Sequence, residues 1–229
     1  ICLDSDYELG SRTGGIYSQL YRAVIIRRSL TTLQRTQILA HELRHAWHDQ
    51  QGFFRAGLTI EDALTLEFVR EADADAFAMA VMWELHYRRG PAIWTQARDE
   101  LLDAPLAVAF TLEMRNLEAN PSARFHLMRN GMRSAYIAWF RDTDNDEFYV
   151  DRMAARYHSR PMIGSRRLVD VLPNLLEMGR LPGQPPGDTA SYLTMFEINQ
   201  AQRRSAENMP RFQQRVHGSR LAHNDVLGF

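Results

Sequence analysis

The chain has 229 residues, 45% of them apolar and 24% charged, the make-up of an ordinary globular protein rather than a disordered, collagenous or disulfide-stapled one. Its 27 basic and 28 acidic residues leave a formal net charge of −1, which argues against a nucleic-acid partner. The single cysteine, Cys2, excludes an internal disulfide and a cysteine-built metal cluster.

The longest apolar runs, such as 76–83, fall well short of the roughly 20 residues a membrane helix needs. No membrane segment is therefore expected, and a cytoplasmic setting is slightly favoured over a secreted one. The sequence opens on Ile1 rather than Met, as expected of a fragment or a processed product. All 27 basic residues are arginine. A GC-rich coding sequence is the plain reading, and escape from lysine modification after delivery into a host cell the sharper one.

Strands are predicted over 16–20 and 23–28, where β-branched and aromatic residues follow a Gly14–Gly15 turn. A helix follows, capped by hydroxyl side chains between Ser29 and Thr32 and ending at Gly52. A second begins with Thr59 as its cap, with Glu61 and Asp62 in the first turn. It runs through Leu64, Phe68, Phe77, Val81 and Leu85 to Gly90 and Pro91, long enough that a kink is expected. Helical spacing recurs over 91–103, 106–119, 123–141, 147–157, 166–178 and 192–207. Prolines separate these segments, most densely in the linker-like stretch 181–187. From Ala201 onward Arg, Gln and Asn dominate, which suggests a docking arm or a loose tail. The expected division is a core over 1–90, a helical subdomain over 91–180, and a linker, helix and C-terminal arm over 181–229.

Chemistry concentrates in His41-Glu42-Leu43-Arg44-His45. Residues four apart on a helix share a face, about 6 Å apart along the axis, so two imidazoles can converge on one tetrahedral Zn²⁺. Glu42 stands beside the first histidine, where its carboxylate can reach a water in the ion's open position and act as a base. Random placement of this chain's His and Glu residues gives only about 0.016 such motifs.

A third protein ligand is needed. His48 follows His45 by three residues, but three ligands on one rigid helix surround an ion poorly. The longer H-E-x-x-H-x-x-G-x-x-H pattern also fails, because the chain has His48 and Gln51. The second helix offers Arg70-Glu71-Ala72-Asp73-Ala74-Asp75. Glu71 can bind the metal, and Asp75, one turn on, can accept a hydrogen bond from a ligand histidine and fix its ring. Glu67 is the rival ligand, one turn earlier. Alanines at 72, 74, 76 and 78 would let the helices approach closely.

This pairing of His41–His45 with Glu71–Asp75 resembles the gluzincin superfamily of zinc metallopeptidases. Within it, the pairing is closest to bacterial metallopeptidase families in which an E-x-x-x-D element follows H-E-x-x-H. The resemblance covers about residues 16–80. It implies one Zn²⁺ per chain held by His41, His45 and Glu71, with Glu42 activating water to cleave a peptide or protein substrate. It also implies that the strand before the active helix, 23–28, holds substrate as an added β-strand. Many relatives with the second element are membrane-embedded, unlike this chain.

Some gluzincins place an Arg and a Tyr beside the metal to stabilise the oxyanion. Arg133 with Tyr136, and Tyr157 with His158, are the candidates here. Asp142, Asp144 and Asp146 have the opening rhythm of a calcium loop but lack its sixth-position Gly and twelfth-position Glu, so a solvated helix cap is expected. The fold expected is mostly helical α+β. It has a zincin-like core of a small N-terminal antiparallel sheet, an active-site helix and a second ligand helix, and then a helical C-terminal extension. The alternative functions are a catalytically silent zinc-binding regulatory domain, an effector-type protease with one specific partner protein, and a metal-free helical interaction domain.

Overall fold

The computed structural model describes residues 2–4, 13–53, 57–89, 104–115, 123–141, 144–159, 164–181, 184 and 188–226. Three short strands, β1 (Cys2–Asp4), β2 (Gly15–Ser18) and β3 (Ala23–Arg27), form a small sheet. β2 and β3 are antiparallel, with Tyr17 opposite Val24. β1 joins the other edge of β3 in parallel, with Cys2 opposite Ile25. The sheet is therefore mixed rather than wholly antiparallel, because a three-residue strand is too short to show its pairing through alternation. Val24 and Ile26 alternate toward the core.

With the order β1-β3-β2, both edges of β3 are occupied. The expectation that 23–28 would add a substrate strand is thereby overturned. Among the described residues, the outer edge of β2 is the one left beside the first helix.

Helix α1 (Thr32–Gln50) starts at a capping box, in which the Thr31 hydroxyl accepts from the Gln34 amide and the Gln34 side chain accepts from the Thr31 amide. It ends at Gln51, followed by Gly52 with φ of 76°. Helix α2 (Ile60–Arg89) is one continuous element of 30 residues. The Thr59 hydroxyl accepts from the Asp62 amide at its start. From Asp62 to Met82, every residue except Ala63, Phe77 and Val81 is buried.

That burial has a cause. α1, α3 (Ala104–Met114), α4 (Arg124–Trp139), α5 (Asp144–Ser159) and α7 (Met195–Val226) all pack against α2. A helix covered all round needs no single apolar stripe. The core layers around it include Phe68, Phe110, Met132, Tyr136, Trp139, Val150 and Ile198. A 3₁₀ turn (Leu168–Val171) and α6 (Leu172–Met178) complete the described elements. The helix expected over 91–103 lies outside the described residues.

Residues 201–226 are helical, and 227–229 lie outside the described residues. α7 continues through this stretch, burying Ala201, Ser205, Asn208, Phe212 and Val216 at three- and four-residue steps. Ser205 donates to the Glu61 carbonyl, and Asn208 and Arg204 bind Asp146 of α5. Asp146 thus turns inward rather than serving as a solvated cap. No helix among the described residues is long and apolar enough to cross a membrane.

Gly15 is the first residue of β2 rather than part of a turn, and it lets the strand lie against α1. A Cβ there would stand 2.4 Å from Ile38 Cγ2 and 3.5 Å from Glu42 Cγ. Gly15→Ala should therefore cost about 1–3 kcal/mol of unfolding free energy, measurable by urea denaturation. A variant as stable as wild type would show that β2 can shift away from α1 without strain.

Candidate metal centre

α1 and α2 cross with their motif faces together. His45 Nε2 lies 2.9 Å from His41 Nε2, and Glu71 Oε2 lies 3.3 Å from each. A tetrahedral ion held at about 2.0–2.1 Å requires donors about 3.3–3.4 Å apart. The three atoms form a triangle close to that size, and all three residues are buried. Two imidazole nitrogens and one carboxylate oxygen are also the donor types a divalent ion of this kind takes. The site fits a metal.

The histidine ring is aimed from behind. His41 Nδ1 lies 2.6 Å from Asp75 Oδ1, which fixes the ring with Nε2 facing the triangle as the nitrogen a metal ion would take. Trp139 of α4 donates its indole N–H to the other Asp75 oxygen at 2.9 Å. Glu67 faces Arg70, at 2.8 Å, and is not part of the triangle.

The charges follow from burial and neighbours. Burial pushes His41 down, but the Asp75 carboxylate outweighs it and lifts the ring well above the ordinary histidine range. His45 is equally buried, and there desolvation outweighs the Glu71 carboxylate, so the ring falls to about 3. Burial would raise Glu71, yet His45, Arg152 and the hydrogen bond from His41 hold it well below the usual carboxylate range.

Glu42 is buried beside the triangle, and its Oε2 accepts the backbone N–H of Tyr17 at 2.6 Å. Burial lifts its pKa, against the charges of His41 and Arg152 and the Tyr17 bond. That Tyr17 amide points outward from β2, so the free strand edge faces the base. The Tyr17 hydroxyl and the Gln19 amide both bind Asp49 of α1, which pins the strand there.

His48 is no ligand. Its Nε2 binds Asp73 Oδ2 at 2.6 Å, in a second buried cluster one turn along α1. Arg44 grips the same carboxylate at 2.7 and 3.2 Å, and the Tyr192 hydroxyl donates to it as well. Arg44 also donates to the Met178 carbonyl and stacks over Trp47 with its guanidinium carbon 4.1 Å from the ring centre. This cluster ties both motif helices to the segment after α6.

Of the oxyanion candidates, Arg133 and Tyr136 are engaged with α7. Arg133 pairs with Glu197 of α7 at 2.7 Å, and the Tyr136 hydroxyl, buried in the core, reaches the Glu197 carbonyl at 3.4 Å. Tyr157 packs its ring on Phe212 of α7. The His158 side chain lies outside the described residues. Helical spacing placed these residues on faces but could not say which neighbour each face meets.

Two arginines flank the triangle, and the first, Arg70 of α2, sets Nη2 3.4 Å from His45 Nδ1. Arg152 of α5 sets Nη1 3.7 Å from Glu71 Oε1, and the charges of Glu71, Glu67 and Glu42 all act on it. Nothing in the sequence marked it among 27 arginines.

Two imidazoles and a carboxylate converge from a helix pair, in a group that could hold a metal ion. The chain is a member of the family described as "Putative metallopeptidase family (DUF6782)", whose profile matches residues 1–165. It is therefore a metal-dependent peptidase at the level of class. No curated protein and no solved structure matches the chain.

Burial holds His48 neutral, with a pKa near 4 against 6.5 in an unfolded chain. As pH falls below 6.5 the unfolded state takes up a proton that the native state refuses until about pH 4. Stability should thus drop across that window, by at most about 3 kcal/mol from this residue. Urea unfolding of wild type and His48→Leu from neutral pH to pH 4 checks it. Equal slopes for the two proteins would exclude His48 as the source.

Proposed function

We propose that the chain is a zinc-dependent peptidase in which His41, His45 and Glu71 hold the ion and Glu42 is the general base and then the general acid. The observation that carries this reading is the near-tetrahedral triangle of donor atoms with a buried glutamate at its side. Two histidines and a glutamate with one position left open are the donor set of catalytic zinc. When bound, zinc supplies a Lewis acid for the scissile carbonyl and lowers the pKa of the attacking water.

The chain's own groups do the rest. Glu42, lifted by burial toward the pH at which a proton is readily taken and returned, receives the proton of the attacking water and passes it to the leaving amine. The Tyr17 N–H holds the Glu42 carboxylate in position for both transfers. Asp75, braced by Trp139, keeps His41 in the tautomer that presents Nε2. An extended peptide pairing with the outer edge of β2, rather than with β3, would pass directly by Glu42.

Glu42→Gln should lower peptide cleavage by about 10³-fold or more while leaving zinc content at about one per chain. His41→Ala and Glu71→Gln should each lose the zinc. Elemental analysis of untagged protein, with a proteome-wide comparison of cleaved peptides between wild type and Glu42→Gln, makes the test. Turnover by the Gln variant, or full zinc in the ligand variants, would remove these roles.

A further inference from the structure

Glu71 divides its two oxygens. Oε2 faces both histidines at 3.3 Å. Oε1 is buried and accepts no hydrogen bond from the described residues. An ionised carboxylate so deeply buried, with one oxygen unbonded, is costly unless a charge stands nearby. The charge that stands there is the Arg152 guanidinium, with Nη1 at 3.7 Å.

Its placement is built into α5. Val150, Met153 and Ala154 bury that helix against the core, while the Arg152 side chain stays about a quarter exposed and reaches inward from the rim. Arg70, the other arginine near the triangle, is engaged with Glu67 at 2.8 Å. The task of facing Oε1 therefore falls to Arg152.

The denticity of a metal-binding carboxylate depends on what holds its second oxygen. If Oε1 is left to turn, it can join Oε2 on the ion and occupy the position that catalysis needs open. A guanidinium aimed at Oε1 keeps it off, and a small rotation brings the 3.7 Å contact to the about 2.7–2.9 Å of a charge-assisted hydrogen bond. We propose that Arg152 is a positioning residue that keeps Glu71 a one-oxygen ligand and so preserves the open coordination position. This rests on the metal-site reading above and extends it to a residue outside both sequence motifs.

Cobalt(II) substitution tests the idea without relying on cleavage, because four-coordinate cobalt absorbs visible light much more strongly than five-coordinate cobalt. Wild-type protein loaded with Co²⁺ should show the strong absorption. Arg152→Met, which keeps the stem and removes the charge, should show weaker bands, and Co²⁺ affinity by chelator competition should fall by about 10–100-fold. Arg152→Lys should restore part of both, since it returns the charge without the fork.

A Met variant with wild-type absorption and affinity would overturn the proposal, and a loss of kcat confined to that variant would then place the guanidinium on the substrate instead. The spectrum reads coordination alone. It decides the role of Arg152 even if wild type and Glu42→Gln prove equally inert toward peptides. A wild-type chain that binds no cobalt would overturn both readings together.

Discussion

A helix covered on every side has no water in which to leave its charges, yet α2 carries Asp62, Glu67, Arg70, Glu71, Asp73 and Asp75, all buried. Removing one partner from such a buried group costs about 3–5 kcal/mol, so each must be partnered: Glu67 and Arg70 pair within the helix, and neighbours meet others. His41, Arg44, His45 and His48 answer from α1, Trp139 from α4, Arg152 from α5 and Tyr192 from the segment before α7. The packing of the molecule is in large part the solution to that one problem.

Two of the answers differ in kind. Around Asp73, Arg44, His48 and Tyr192 close on a single carboxylate that burial has stripped of solvent, and the Arg44 charge with the hydrogen bonds of His48 and Arg44 holds it ionised well below its ordinary range. Around Glu71 the neighbours are two imidazoles whose Nε2 atoms converge on its Oε2 at 3.3 Å. The first cluster is closed and fixes the crossing of α1 on α2. The second inherits that crossing and turns three donor atoms toward one another. Rigid support beside a set of converging ligands is what a metal site needs.

The clearest signals in the sequence were those carried by one helix. Four-residue spacing sets His41 and His45 on a common face, and the Thr31 and Thr59 caps locate both helix starts. Contacts between elements distant in sequence left no such trace. Trp139 meets Asp75 across 64 residues and Tyr192 meets Asp73 across 119. β1 pairs with β3 through three residues. The same limit explains Arg133 and Tyr136. They are three apart on a helix, as anticipated, but the face they share meets Glu197 of α7 rather than the triangle. The polar run after Ala201 misled for another reason. Small and polar side chains such as Ala201, Ser205 and Asn208 line its buried stripe, so the helix lacks the strongly apolar period that would mark it.

The Asp73 cluster has a bearing on where this protein can be cut. The family profile stops at residue 165, but the Met178 carbonyl and the Tyr192 hydroxyl that complete the cluster lie beyond it. A piece trimmed to the matched stretch would open a stripped carboxylate and its guanidinium to solvent at the point where the two motif helices cross. Anyone grafting those helices onto another scaffold would have to supply the partners that Met178 and Tyr192 provide, or else replace Arg44, His48 and Asp73 together with well-packed apolar residues.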